Sequence, residues 1–138
     1  MLKTKYHGEI EINEEQILHF ESGIPGFLEE KQFVILPLKE DSPFLILQSV
    51  ATSELAFVVT SPFIFFKDYE FNLDDSTADK LKLEKPEDVQ VMVILTLQDK
   101  FEDSTANLQA PIVVNEKTNL AKQVILNDPA YKTKHKLN

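Results

Sequence analysis

Apolar and polar residues alternate in steps of two along much of this chain, and a period of two is the signature of a half-buried β-strand. The clearest case is VQVMVILTLQ, residues 89–98. There Val89, Val91, Val93, Leu95 and Leu97 share one face, while Gln90, Thr96 and Gln98 mark the other. From Lys3 to Ile12, charged residues and His7 alternate with Thr4, Tyr6, Gly8, Ile10 and Ile12. That predicts one strand, with Gly8 as the place for a bulge. Another strand is expected over 17–20.

The runs FVILPL (33–38), PFLILQSV (43–50) and LAFVVT (55–60) are separated only by the polar turns KEDS and ATSE. Such short connections predict an antiparallel meander, with Pro37 closing its first strand. ANLQAPIVVN (106–115) reads as one more strand. Its apolar face is Ala106, Leu108, Ala110, Ile112 and Val114, and its polar face continues Thr105 through Asn107 and Gln109. Pro111 cannot donate to a ladder and marks an edge or a bulge. LAKQVIL (120–126) follows a turn and completes a hairpin.

One stretch alone has helical character. DDSTADKLKL, about 74–83, places aspartates at its start and lysines near its end, as the helix dipole favours, and Pro86 stops it from running on. The expected fold class is therefore mostly β: a single domain over 1–138, an antiparallel barrel-like structure or sandwich with one short helix. The polar, basic stretch 127–138 reads as a loosely held tail.

Composition narrows the function. A hydrophobic content of 43% over 138 residues supports one real core, and ten phenylalanines with no tryptophan make phenylalanine its main large filler. The chain has no cysteine, which removes disulfides, thiolate catalysis and Cys-ligated metals. Its first residues lack the apolar stretch of a signal peptide, and no apolar run approaches the ~20 residues of a membrane span. A soluble cytoplasmic protein is expected, with no membrane role. The net charge is −9, and all 14 basic residues are lysines. Arginine's fork is the usual reader of phosphate and guanine, so direct nucleic-acid binding is not expected. The acidity suits solubility or a basic protein partner.

Catalytic patterns do not emerge. His7, His19 and His135 stand far apart, with no partner at metal-ligand spacing. Acidic pairs at 14–15, 29–30, 40–41, 74–75, 87–88 and 102–103 fall at expected turns and at the helix start, where carboxylates are solvated or cap amides. No nucleophile elbow, phosphate loop or dinucleotide fingerprint occurs. No cofactor is implied.

Two stretches remain. GIPGF, residues 23–27, holds two of the chain's three glycines. As a phosphate cradle it lacks a following helix, and Glu29 and Glu30 would repel an anion. As a type II turn it fits: Pro25 sets φ at the second position and Gly26 supplies positive φ at the third. Ile24 and Phe27 then flank the turn, either buried or presented at its tip. The other stretch is SPFIFFKDYEFNL, 61–73. As one straight strand it would expose Ile64 and Phe66; as a strand buried on both faces up to Phe66 it needs a turn at Lys67–Asp68.

The stretches TKYHGEIEI, HFESGIPGF, FVILPL, SPFLILQSV, LAFVVTSPF, DYEF, TANLQAPIVVN and KQVIL, in this order and spacing, resemble the flagellar assembly factor FliW family over nearly the whole chain. The end departs from the family's frequent Arg-His-Pro-Leu run: this chain has Lys134, His135, Lys136 and Leu137. The resemblance implies a compact barrel-like β fold and a non-enzymatic regulator without cofactor. Proteins of this kind bind newly made flagellin. When flagellin is exported, they capture CsrA, a basic RNA-binding dimer that represses flagellin translation. A monomer is expected.

The resemblance does not assign contacts, so candidates come from residue chemistry. Phe65, Phe66, Tyr69 and Phe71 are the aromatic anchors, with Asp68 and Glu70 as acids able to meet lysine or arginine. Thr105, Asn107 and Gln109 offer an edge of amide and hydroxyl groups, and Ile24 and Phe27 complete the set. The alternatives are a small barrel holding an apolar ligand, which needs an internal cavity, and an enzyme with convergent carboxylates, which needs a cleft.

Overall fold

The computed structural model describes residues 2–38 and 42–137. The expected turn at 39–42 and the acidic pair Glu40–Asp41 fall largely or wholly outside the described residues. The strands are β1 (Leu2–Lys3), β2 (Glu9–Ile10), β3 (Leu18–His19), β4 (Gln32–Pro37), β5 (Leu45–Ser49) and β6 (Ala56–Thr60). One short helix, α1 (Asp75–Lys80), precedes β7 (Val89–Thr96), β8 (Thr105–Ala106), β9 (Ile112–Asn115), β10 (Leu120–Gln123) and β11 (His135–Lys136).

Strands β4, β5 and β6 form the expected antiparallel meander, with Leu47 opposite both Ile35 and Phe57. The sheet continues through β7, which pairs with β9; β9 pairs with β10, and β10 meets β3 beside β4. Seven strands thereby close into a barrel. Closure removes the sheet edges that would otherwise need protection.

Each barrel strand contributes to one interior cluster. Phe20, just past β3, joins Phe33, Leu47, Val59, Met92, Ile112, Val114 and Ala121, with Ile24 closing one end. Phe20 and Phe33 meet edge to face at 5.3 Å, the arrangement that aromatic quadrupoles prefer. Burying side chains of this size stabilises the fold by about 1.5–3 kcal/mol each, so the interior is the main source of cohesion.

Two outer layers cover the barrel. The first corrects the expectation of one strand over 3–12. The chain turns back at Gly8, where φ is +66°, and β1 pairs with β2 as a hairpin. Alternation continued across the turn, so parity gave no sign of it. Leu2, Ile10, Ile12 and Ile17 of this region pack with Val34, Leu36 and Ile46 on the outside of β4 and β5. His7 Nε2 lies 2.6 Å from the Pro37 carbonyl, and the Lys5 amide donates to Gln48 Oε1 at 2.9 Å.

The second layer lies over β7, for which alternation gives two faces without saying which meets the barrel. Its barrel-facing residues are the even ones, Met92 and Ile94. Val93 and Leu95 point outward, into a cluster with Tyr69, Ala106, Leu108, Leu126 and Leu137. The face with the stronger apolar signal is therefore the outer one, covered by later chain. The expected single strand 106–115 is also two strands. Ala106 and Leu108 belong to the outer cluster, whereas Ile112 and Val114 enter the barrel. The break falls between β8 and β9, just before and at Pro111, whose missing amide cannot continue a ladder. The stretch 127–138, read from its polarity as a loose tail, supplies β11, which pairs with β8, and Leu137 is buried.

Helix α1 is capped as its sequence predicts. The Asp74 carboxylate accepts the Thr77 amide at 2.8 Å, and these hydrogen bonds hold its carboxyl below the ordinary value.

Candidate protein-interaction surface

The segment after β6 is neither of the two strands expected. Pro62–Ile64 form a single 3₁₀ turn, with the Phe66 amide bonded to the Pro62 carbonyl at 2.8 Å. Proline at the first turn position suits this geometry, because its missing N–H would have no partner there. The turn pushes Phe63 and Ile64 into solvent, 46% and 52% exposed, and swings Phe65 and Phe66 back toward the barrel. Phe65 stacks on Phe44 at 6.0 Å, and both rings lie near Phe101.

Tyr69 is an internal anchor. It is 4% exposed and its hydroxyl donates to the Leu108 carbonyl at 2.7 Å. Burial, with Tyr131 beside it, pushes its phenol well above the ordinary tyrosine range. Tyr131 packs on Tyr69 at 4.6 Å, and its hydroxyl bonds to the Glu70 backbone. Phe66 meets the His135 ring edge-on at 5.2 Å. Phe65, Phe66 and Phe71 are half-buried in the same outer layer, while Asp68 and Glu70 are exposed.

Thr105, Asn107 and Gln109 are half-exposed as expected, but their backbone edge is taken. Thr105 pairs with Lys136, the Asn107 amide donates to Ile94, and the Gln109 carbonyl accepts the Leu126 amide. Asn107 also spends its side-chain oxygen on the Ala110 amide at 3.0 Å. The aromatic segment shares one cluster with Ala106 and Leu108, which alternate in sequence with this polar set.

Ile24 and Phe27 sit elsewhere and part company. Gly26 has φ of +89°, as a type II turn requires. The Phe27 amide donates to the Ile24 carbonyl at 2.6 Å. Ile24 is 2% exposed within the barrel cluster. Phe27 is 42% exposed and rests edge-on against Phe57 at 5.7 Å.

Sequence reasoning missed Leu28, Leu97 and Phe101 as exposed apolar groups, and it set Phe63 aside. Phe101 lies in a strongly charged run, DKFED, and Leu97 continues the β7 parity past its end, so a lone apolar residue among charges was the available signal. Phe63 and Ile64 share a cleft of about 470 Å³ with Pro43, Leu45, Val89 and Val91.

Among the described residues, no group of three or more histidine or acidic side chains could hold a metal ion, and no helix is long and apolar enough to cross a membrane. Glu30 of the acidic pair 29–30 accepts hydrogen bonds from Ser49 Oγ and Thr52 Oγ1. Asp88 of the pair 87–88 faces Lys117 at 3.6 Å.

Fold and surface define a small closed β-barrel protein with a filled interior and its free apolar groups on the outside. The FliW protein family model matches residues 1–137, and the chain belongs to that family. It is 65% identical over 135 residues to the flagellar assembly factor FliW of Bacillus subtilis (strain 168), covering 98% of this chain and 94% of that protein. Against the flagellar assembly factor FliW of Geobacillus kaustophilus (strain HTA426) the identity is 60% over 136 residues, covering 99% and 94%. A crystal structure of the flagellar assembly factor FliW superposes with a TM-score of 0.93 at 57% identity, covering 99% of this chain and 95% of the other.

Proposed function

We propose that this protein is a non-enzymatic cytoplasmic regulator of flagellar assembly, which binds flagellin and, once free of it, binds and antagonises CsrA. Relief of CsrA-dependent repression then matches flagellin synthesis to export. The relatives' name supports the flagellar role. The single observation that favours a protein-binding mechanism is the distribution of apolar surface. The barrel axis is filled by Phe20, Phe33, Leu47, Met92 and Ile112, while Phe63, Ile64, Phe101, Phe27 and Leu28 face solvent. Neighbouring apolar groups left exposed together, as Phe63 with Ile64 and Phe27 with Leu28, mark partner sites. A barrel built to hold an apolar ligand needs interior space that these side chains occupy.

The aromatic segment supplies one contact surface in this reading: half-buried Phe65 and Phe66, Asp68 and Glu70 as exposed acids, Phe71 beside them, and Thr105, Asn107 and Gln109 as the neighbouring polar edge. Tyr69 holds the platform from beneath. The chain's net acidity steers a basic partner toward the protein as a whole.

Purified protein is titrated separately with flagellin and with CsrA, and then with CsrA in the presence of flagellin. Binding to each alone and release of CsrA by flagellin are expected, and a rise in salt slows association with CsrA. Failure to bind either protein would sink the proposal. A salt-independent association rate removes the steering argument.

A further inference from the structure

The loop that carries GIPGF presents an exposed apolar tip on a backbone braced by its own contacts. Pro25, Phe27 and Leu28 face solvent, and Leu28 is 65% exposed. Beneath them the loop is held at three places. Ile24 is buried in the barrel end and bridges to Phe27. Gly23 adopts φ of +68°, and its Cα lies so close to Leu28 that an added Cβ would stand 2.3 Å from the Leu28 carbonyl oxygen. Glu30 anchors the loop's far side to Ser49 and Thr52. A leucine held in water on a preset backbone loses little freedom when a partner covers it, which favours its use in binding.

Charge says what kind of partner suits the tip. Glu21 and Glu29 are exposed on either side of it, against the single cation Lys31 in the same loop, and the whole chain carries −9. Position separates it from the aromatic surface. Phe27 rests on Phe57 near the start of β6, whereas Phe63 and Ile64 follow its end. A five-residue strand spans roughly 17 Å, so the two patches occupy different rims of the barrel.

We propose that the Pro25–Phe27–Leu28 tip docks into an apolar pocket on a basic protein surface, with Glu21 and Glu29 meeting lysine or arginine at the pocket's rim. The proposal rests on the regulatory reading for its probe, purified CsrA. Wild-type, Leu28→Ala and Phe27→Ala proteins, with Tyr6→Ala as an exposed control between β1 and β2, are titrated with CsrA by calorimetry, and thermal unfolding of each checks folding. Leu28 is so exposed that its truncation leaves the unfolding midpoint in place. Leu28→Ala weakens binding at least about tenfold, the loss expected for an interface anchor, and Tyr6→Ala leaves it unchanged. No binding by the wild-type chain overturns the regulatory reading and this proposal with it. Wild-type binding that survives both Leu28→Ala and Phe27→Ala, or that is lost in Tyr6→Ala instead, overturns the proposal alone.

Discussion

Replacing Tyr69 with phenylalanine isolates one buried hydrogen bond. The ring keeps its neighbours, Tyr131 at 4.6 Å, Phe71 at 5.7 Å and Phe63 at 6.1 Å. What disappears is the hydroxyl that donates to the Leu108 carbonyl at 2.7 Å in a site 4% exposed. A buried acceptor deprived of its donor costs about 1–2 kcal/mol, which for a chain of this size lowers the unfolding midpoint by roughly 3–8 °C. The same burial predicts an alkaline signature. Burial raises the folded-state pKa of Tyr69 above its ordinary value of 10.0. The folded chain therefore keeps a proton that the unfolded chain gives up, and this stability is fully present below that ordinary value. It is lost as pH climbs from there through the folded-state value. Thermal unfolding followed by circular dichroism, at neutral pH and along an alkaline series, checks both parts. Tyr69→Phe should unfold earlier at neutral pH and show a shallower alkaline decline than wild type. A variant as stable as wild type, with the same alkaline slope, would refute the assignment of Tyr69 as the anchor of the outer layer.

Further outcomes follow from single positions. Gly26→Ala forces a side chain to adopt φ of +89° in open space and should cost about 1–2 kcal/mol. Gly23→Ala adds a backbone collision at 2.3 Å to the same kind of strain, so denaturant titration should find it clearly the more damaging of the two. Phe33→Ala empties a fully buried site at the centre of the barrel and should cost about 3–5 kcal/mol by the same assay. In Asp74, the Thr77 hydrogen bonds lower the folded-state pKa below 3.8, so their stabilising contribution is present above that value and fades as pH falls. Asp74→Ala should be less stable at neutral pH, with a flatter acid limb in a pH series of melting curves.

The meander and the helix were legible because their signals are local. Alternation with short turns specifies β4 to β6, and Asp74 caps α1 with its own side chain. The GIPGF turn was legible for the same reason, since proline and glycine restrict φ without help from the rest of the fold. What failed depended on distant chain. Alternation reports that a strand has two unlike faces; it does not say which faces the barrel. In β7 the outer face is the more apolar one, because Tyr69, Leu126 and Leu137 arrive from elsewhere to cover it. The hairpin at Gly8 and the break before Pro111 kept parity across them, so both were invisible to a period-two count. The aromatic segment had the right composition for a surface, yet its exposed members are Phe63 and Ile64, whose direction is set by the 3₁₀ turn at Pro62.

The barrel's seam has a consequence for the order in which the fold is made. Every pairing from β4 to β7 joins neighbours in the chain, but the ring shuts where β10 lies parallel to β3, linking His19 to Leu120. Local hairpins assemble early, and contacts that enclose long loops come late. During synthesis β3 must therefore wait, with Leu18 and Phe20 uncovered on one side, until β10 has emerged from the ribosome. A chain stalled between them holds a curved open sheet with a sticky flank.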